Sequence, residues 1–201
     1  MTAWKMSGIR EAAHIMKTGG VIAYPAEGCF GLGCDPLNRR AVLRILKLKH
    51  RSVNQGLILV AMSFSQLRPW LHPDNAGLLK QPLRSWPGPF TWVLPASHRA
   101  PSWITGAHST IAVRISAKPE IVRLCRAFKG AIVSTSANPH GRPPATSRAQ
   151  VTRYFGRHID MLVNGFPGPL KQPTEIRDTR TGEVLRWQST SIDNSRDPSC
   201  P

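Results

Sequence analysis

Acidic residues are scarce in this sequence. The 201 residues include 27 Lys and Arg but only 11 Asp and Glu, which gives a formal net charge of +16 at pH 7. A surface this basic favours polyanions such as nucleic acid, although the anion could equally be a substrate. A basic protein with no role in nucleic-acid binding is the alternative that the composition leaves open.

Long apolar runs and paired cysteines are also lacking. No window reaches the roughly 18 apolar residues that span a bilayer, and no apolar signal core follows Lys5, so we expect a cytoplasmic protein without a membrane partner. The cysteines have no C-x-x-C spacing and the histidines no H-x-x-x-H spacing, which argues against a structural zinc site. We expect Cys29 and Cys34 to pack as small apolar residues.

Helical and strand patterns alternate along the chain, which is typical of an α/β sheet. Helical spacing of apolar residues predicts helices at residues 9–16, 39–48, 119–128 and 147–155. Apolar runs predict strands at residues 21–24, 57–61, 90–94, 110–115, 131–134 and 161–163. A hairpin is predicted from residues 175–177 and 183–186 on either side of a Thr-Gly turn. Pro82, Pro87 and Pro89 argue against regular helix just before Phe90.

The apolar run at residues 131–134 continues into polar residues. Ser134, Thr135, Ser136 and Asn138 follow one another where the predicted strand gives way to a loop. Ligands of α/β sheets commonly bind at such strand ends. The hydroxyls and the amide therefore predict a site that binds an anion.

Lys49 and Arg51 form a second candidate, directly after the predicted helix at residues 39–48. Arg51 could hold a phosphate or carboxylate with a bidentate fork, and Lys49 could act as a point charge. The alternative is a solvated helix end, where cations favour the negative pole of the helix dipole. A strand begins soon afterwards, so we expect both side chains at the surface of a cleft beside the sheet.

Two further segments are candidates. At residues 24–35 a predicted strand runs into a loop that carries three glycines, which could let the backbone approach a ligand or could serve ordinary tight turns. Arg114 lies inside an apolar strand, so it either points to solvent or pairs with an acid or a ligand anion. The proline-rich turn at residues 86–90 delivers Thr91 to the start of a strand, and its stiffness could serve architecture alone.

Six segments occur in this order along the chain: YPAEGCFGLGCDP, LKHRSVNQGLIL, WPGPFTWVLPA, AVRI, VSTSANPHG and PTEIRD. Together they resemble the TsaC/YrdC family of threonylcarbamoyl-AMP synthases over residues 8–188, and in length its short bacterial branch. The resemblance implies a single-domain α/β fold, a YrdC-like twisted mixed sheet with flanking helices and a concave basic cleft. Residues 189–201 lack apolar content and are expected to form a disordered tail.

The resemblance also implies a reaction. Members of the family use ATP, L-threonine and bicarbonate to make threonylcarbamoyl-adenylate and pyrophosphate, for threonylcarbamoyladenosine formation next to the tRNA anticodon. The implied partners are tRNA or double-stranded RNA and the proteins that transfer the threonylcarbamoyl group to tRNA. Mg²⁺ would arrive with the ATP phosphates, because no carboxylate cluster is visible for a metal cage.

The site residues are carried over from the family's motifs, of which K-x-R falls on Lys49 and Arg51 and S-x-N on Ser136 and Asn138. The resemblance assigns catalytic roles to Lys49, Arg51, Ser136 and Asn138. It assigns ATP binding to Arg51, Thr91, Ser136, Asn138 and Arg186. It assigns threonine binding to Gly28, Arg114, Ser134 and Thr174.

The sequence departs from the family's pattern at three places. Ala26 stands where a threonine is common, so one hydroxyl of the threonine pocket is missing. Gly28 stands where threonine or alanine is common, and Ser52 and Gln55 stand where proline and lysine are common after the K-x-R motif.

The rival hypothesis is a basic module that binds double-stranded RNA or tRNA without making an adenylate, with phosphate contacts from Arg148, Arg153 and Arg157. A solvated basic helix explains those three arginines equally well. An accessory domain of a larger carbamoyl-transfer complex is a third possibility.

Overall fold

The computed structural model of the protein describes residues 8–170 and 174–186. In this part of the chain nine strands form one mixed sheet. They are β1 (Ile22–Pro25), β2 (Phe30–Gly33), β3 (Ile58–Ala61), β4 (Thr91–Pro95), β5 (Thr110–Ile115), β6 (Ile132–Ser136), β7 (Met161–Leu162), β8 (Ile176–Asp178) and β9 (Val184–Arg186). Their order across the sheet is β7-β1-β2-β6-β3-β5-β4-β8-β9. The pairs β1/β7, β3/β5 and β4/β8 are parallel.

The same part of the chain contains seven α-helices. They are α1 (Ile9–Lys17), α2 (Arg39–Lys49), α3 (Phe64–Leu67), α4 (Lys80–Ser85), α5 (Ser102–Thr105), α6 (Pro119–Phe128) and α7 (Arg148–Phe155). The side chain of Asn38 accepts a hydrogen bond from the Ala41 N–H at the start of α2. Ser147 and Gln150 form a capping box on α7. These caps satisfy N–H groups that have no partner inside the helix.

Helices cover both faces of the sheet. Because side chains alternate along a strand, Ile22 and Tyr24 of β1 face α1 and α6, whereas Ala23 faces the other side. The core beneath α1 and α6 also holds Val60 and Ile132. The core on the opposite face is larger and includes buried residues of α2, α5 and α7: Ala41, Val42, Ile45, Leu46, Ile104, Val151 and Phe155. The two cores make the sheet the central layer of the molecule.

The predicted α/β fold is confirmed, and the predicted helices and strands are found within one or two residues of their expected bounds. The predicted hairpin is confirmed as the antiparallel pair β8/β9. In the part of the chain that the structure describes, no helix is both long and apolar enough to cross a bilayer. The predicted tail at residues 189–201 lies outside the described residues.

Residues 24–35 are predicted as a strand that runs into a loop, and the loop part of this prediction is wrong, because β2 lies within it. The glycines of β2 make room for the ring of Tyr24 on the neighbouring strand. A Cβ at Gly33 would lie 2.7 Å from Tyr24 Cε1 and 2.9 Å from the carbonyl oxygen of Val133, and one at Gly31 would lie 3.2 Å from Tyr24 Cζ. Close packing inside the sheet explains these two glycines.

Two smaller differences concern element ends. Pro82 lies inside α4, because this short helix places it in the first turn, where a missing N–H leaves no helical hydrogen bond unmade. Strand β6 runs on to Ser136, two residues beyond the predicted end. Its hydroxyl residues are therefore held by sheet pairing to β2 and β3 instead of lying in a loop.

Candidate active site

A small recess lies between the loop at residues 26–29, which joins β1 to β2, and residues of β2, β3, β5 and β6. It has a volume of about 50 Å³. Its walls include the four residues predicted to bind threonine, together with the first residue of the S-x-N motif: Gly28, Arg114, Ser134, Thr174 and Ser136. Register explains part of this meeting, since Ser134 of β6 pairs with Ile58 of β3, and Ile58 pairs with Ala112 of β5. The recess accommodates a few small polar groups.

Arg114 is held in this recess by a buried ion pair. Its Nη2 donates to Glu27 Oε2 at 3.1 Å, and the other carboxylate oxygen of Glu27 accepts a hydrogen bond of 2.7 Å from Ser116 Oγ. Nη1 donates to the hydroxyls of Thr91, at 3.3 Å, and Thr174. Arg114 is 4% exposed and Glu27 9% exposed. Of the two alternatives for this arginine, the structure shows pairing with an acid.

One nitrogen of the guanidinium makes no hydrogen bond within the described residues. Arg114 Nε is buried and has no hydrogen-bond partner among residues 8–170 and 174–186. A buried donor without an acceptor is costly, so a ligand that supplies one would bind more tightly. Glu27 was not predicted as a site residue, because nothing in the local sequence shows that its carboxylate is buried against a strand 87 residues away.

Ser134 is held by Tyr24. The phenol of Tyr24 donates a 2.7 Å hydrogen bond to Ser134 Oγ. Tyr24 is fully buried, and that burial raises its pKa far above the usual value, so the phenol remains protonated. Ser134 is 6% exposed and lines the recess.

The K-x-R and S-x-N motifs meet as predicted. Lys49 Nζ donates to the carbonyl oxygen of Ser136 and to two oxygens of Asn138, the carbonyl at 2.9 Å and Oδ1 at 3.1 Å. Ser136 Oγ donates to the same Oδ1 at 2.7 Å. The expectation that Lys49 lies at the surface of a cleft is wrong: the residue is 6% exposed, because its ammonium reaches under the 136–138 turn. Lys49 therefore shapes the turn that carries Ser136.

A second, larger cavity adjoins the recess, with a volume of about 360 Å³. Arg51 and Gln55 line it, and Arg51 Nη2 also donates to the carbonyl oxygen of Gly56 at 2.8 Å. Ile58 belongs to the walls of both cavities. The volume falls within the roughly 300–1,000 Å³ of typical small-molecule sites. Its other polar lining residues were not predicted as site residues, although one of them, Asp178, ends the PTEIRD segment: Thr105, His108, Thr110 and Asp178.

Of two other residues predicted to contact ATP, one is not found in the lining of either cavity, and the side chain of the other is not described. Thr91 is fully buried, and its hydroxyl faces Arg114 without lining either cavity. Arg186 ends β9, and its side chain lies outside the described residues. ATP binding by these two residues stays a prediction. Ala26, the position with the missing hydroxyl, does line the recess and is buried.

The described part of the chain contains no group of three or more His, Cys, Asp or Glu side chains placed to hold a metal ion. The charged side chains that line the two cavities are Arg51, Arg114 with its partner Glu27, and Asp178. Hydroxyls and cations around adjoining cavities suit ligands with carboxylate or phosphate groups.

The sequence is similar to those of known proteins. A family model for Sua5, YciO and YrdC, described as telomere recombination, matches residues 14–187. A protein of Halorhodospira halophila named threonylcarbamoyl-AMP synthase is 54% identical over 178 residues, which cover 89% of this chain and 93% of the relative. A protein of Coxiella burnetii with the same name is 47% identical over 178 residues, covering 89% of this chain and 96% of the relative.

A solved structure shares the fold. The crystal structure of P. abyssi Sua5 complexed with L-threonine has a TM-score of 0.80 and 34% sequence identity. The similarity covers 89% of this chain but 53% of Sua5, so this chain spans about half of that protein. The resemblance inferred from the six sequence segments is confirmed. The chain belongs to the Sua5/YciO/YrdC family.

Proposed function

We propose that this protein is a threonylcarbamoyl-AMP synthase, which converts L-threonine, bicarbonate or CO₂, and ATP into L-threonylcarbamoyladenylate and pyrophosphate. The observation that carries the proposal is the pair of adjoining cavities, one lined by Arg114, Ser134 and Thr174 and the other by Arg51. The relatives of H. halophila and C. burnetii that carry this name are similar to the chain over nearly their whole length.

The small recess is the proposed threonine site. An arginine with a spare donor, beside hydroxyls, offers a carboxylate both charge and hydrogen bonds. Arg114 and Ser134 would hold the substrate carboxylate, with Thr174 beside them, and Gly28 leaves room next to the bound amino acid. The Sua5 structure with L-threonine supports this assignment, since that protein has the same fold.

The larger cavity is the proposed ATP site. Arg51 would neutralise phosphate charge there, and Ser136 and Asn138 would act near the boundary with the recess. Gln55 lies where the resemblance leads one to expect a lysine, so Arg51 carries more of the charge neutralisation in this chain. Mg²⁺ would enter with the triphosphate and would add charge neutralisation of its own.

The chemistry requires positioning more than a nucleophilic side chain. The threonine ammonium loses a proton, and the free amine attacks the carbon of CO₂ and loses a second proton to give an N-carboxylate. An oxygen of that group attacks the α-phosphorus of ATP, and the bond from the α-phosphorus to the bridging oxygen breaks to release pyrophosphate. Ile58 lines both cavities, which supports binding of the two substrates side by side, as such a transfer needs. Lys49 is a positioning residue in this scheme.

The biological setting follows from the same proposal. The adenylate would supply the threonylcarbamoyl group for the adenosine next to the tRNA anticodon, through transfer proteins that act on tRNA, in the cytoplasm. The rival reading, an RNA-binding module without this activity, is not favoured, because the relatives with this sequence pattern are named as synthases.

The test is pyrophosphate release by the purified protein with each substrate omitted in turn. We expect release that needs ATP, Mg²⁺, threonine and bicarbonate together. Arg51→Ala should reduce it by roughly 100-fold or more, since one lost transition-state contact to developing charge costs that much in other enzymes. Arg123→Ala, on the exposed side of α6, is the matched control. Pyrophosphate release that is independent of threonine would contradict the proposal.

A further inference from the structure

Tyr24 lies behind the recess and has no function in the reaction as described so far. Its ring occupies the space that Gly31 and Gly33 leave free on β2. Only its hydroxyl reaches the recess wall, through the hydrogen bond to Ser134. Gly31 and Gly33 therefore allow the Tyr24 ring to pack where its hydroxyl can bond Ser134.

The direction of that hydrogen bond has a chemical consequence. A buried, protonated phenol must place its proton on an acceptor, and leaving it without one would cost the desolvation of a polar group. Ser134 Oγ is the acceptor that the structure shows, at 2.7 Å. The serine's own proton is then not used by Tyr24, and no acceptor for it is found among residues 8–170 and 174–186.

We propose that Tyr24 is a positioning residue: by donating to Ser134 Oγ it turns the serine O–H into the recess as a fixed donor to the substrate carboxylate. The proposal rests on the proposed function, because it takes the carboxylate to be that of threonine. Without Tyr24 the serine hydroxyl could rotate and donate elsewhere, so the carboxylate would lose an oriented partner. The effect belongs to threonine binding and not to ATP binding.

The first experiment reads the direction of the hydrogen bond without changing Tyr24. The chain has two tyrosines, so Tyr154→Phe leaves Tyr24 as the single one. The ultraviolet resonance Raman doublet of tyrosine distinguishes a phenol that donates from one that accepts. We expect the signature of a strong donor in the Tyr154→Phe protein. The signature of an acceptor would overturn the proposal.

The second experiment measures L-threonine binding by calorimetry in Tyr24→Phe, which removes one hydroxyl and keeps the ring. We expect the dissociation constant and the KM for threonine to rise about two- to tenfold, the value of one hydrogen bond, with the KM for ATP unchanged. Tyr154→Phe should bind threonine like the wild type. A merely structural role would lower thermal stability and the active fraction without changing the KM for threonine.

A double-mutant cycle with Ser134→Ala isolates the path of the effect. Tyr24→Phe should weaken threonine binding in the wild type but not in the Ser134→Ala background. An equal effect in both backgrounds would overturn the proposal. If the wild type binds threonine and releases threonine-dependent pyrophosphate while Tyr24→Phe behaves identically, only the role of Tyr24 fails. If the wild type does neither, the proposed function fails.

Discussion

At the scale of single residues, Lys49 supports the backbone and the Asn138 side chain of the turn at residues 136–138. Its ammonium has three protons, and three oxygens of the 136–138 turn accept hydrogen bonds from it. The sequence pattern predicted the partners correctly but placed the lysine at the surface. Burial changes the expected effect of mutation, because a buried turn loses its support when the lysine is removed.

We therefore predict that Lys49→Ala lowers both activity and stability. The free energy of unfolding should fall by about 1–3 kcal/mol, because buried oxygens of Ser136 and Asn138 lose their donor. Chemical denaturation measures this change. Lys47→Ala, exposed on the same helix, should alter stability by less than about 0.5 kcal/mol. A Lys49→Ala protein as stable as the wild type would contradict this stabilising role of Lys49.

The cysteines provide a second prediction at this scale. Burial raises the pKa of Cys125 to about 12 and raises the pKa of Cys34 as well, whereas Cys29 is partly exposed and lines the recess. Since the thiolate is the reactive form, iodoacetamide at pH 8 should label Cys29 faster than Cys34 or Cys125 in the folded protein. Threonine should slow the labelling of Cys29. Peptide mass spectrometry reads each rate, and labelling of Cys34 as fast as Cys29 would contradict the prediction.

At the scale of elements, β2 depends on the absence of side chains. We predict that Gly33→Ala lowers the free energy of unfolding by about 1–3 kcal/mol, because the new methyl would meet the Tyr24 ring and the fixed carbonyl of Val133. Gly77→Ala is the matched control, since a Cβ there meets nothing within 4 Å. Equal stability of the two variants, measured in denaturant, would show that the sheet accommodates the methyl.

The sequence was a good guide to elements whose signal is local. Apolar spacing predicted α1, α2, α6 and the strands β3, β5 and β6. Burial requires apolar residues at helical or strand spacing, so these elements can be recognised from the local sequence. Strand β2 was missed because two of its four residues are glycines, which ordinarily weaken a strand. These glycines make room for the ring of Tyr24 on the neighbouring strand, a contact that the local sequence does not show.

At the scale of the whole molecule, the sequence predicted the contacts between motif residues. It did not predict contacts between residues that are distant in sequence and belong to no motif. The meeting of Lys49 with Ser136 and Asn138 followed from the family resemblance. The pairing of Glu27 with Arg114 did not, because it joins residues 87 positions apart through the order of strands. The polar residues that line the larger cavity, such as His108, likewise depend on topology.

The charge of +16 also belongs to this scale. We predict that double-stranded RNA binds the protein with an affinity that falls steeply with salt, by roughly 40-fold between 50 and 200 mM if three phosphates are contacted. Filter binding across that range gives the slope. Replacing Arg148, Arg153 and Arg157 together by Ala should flatten it if α7 supplies the contacts. An affinity independent of salt would contradict a phosphate-binding surface.

The hydrogen bonds of Arg114 join residues from the early, middle and late parts of the chain, namely Glu27, Thr91 and Thr174. Ribosomes release a polypeptide from its N-terminus, so Thr174 emerges long after Glu27. The sheet strands up to β7 can pair before then, yet the recess wall remains open until Thr174 arrives. A chain whose translation stops before residue 174 would therefore have most of the sheet but an incomplete recess.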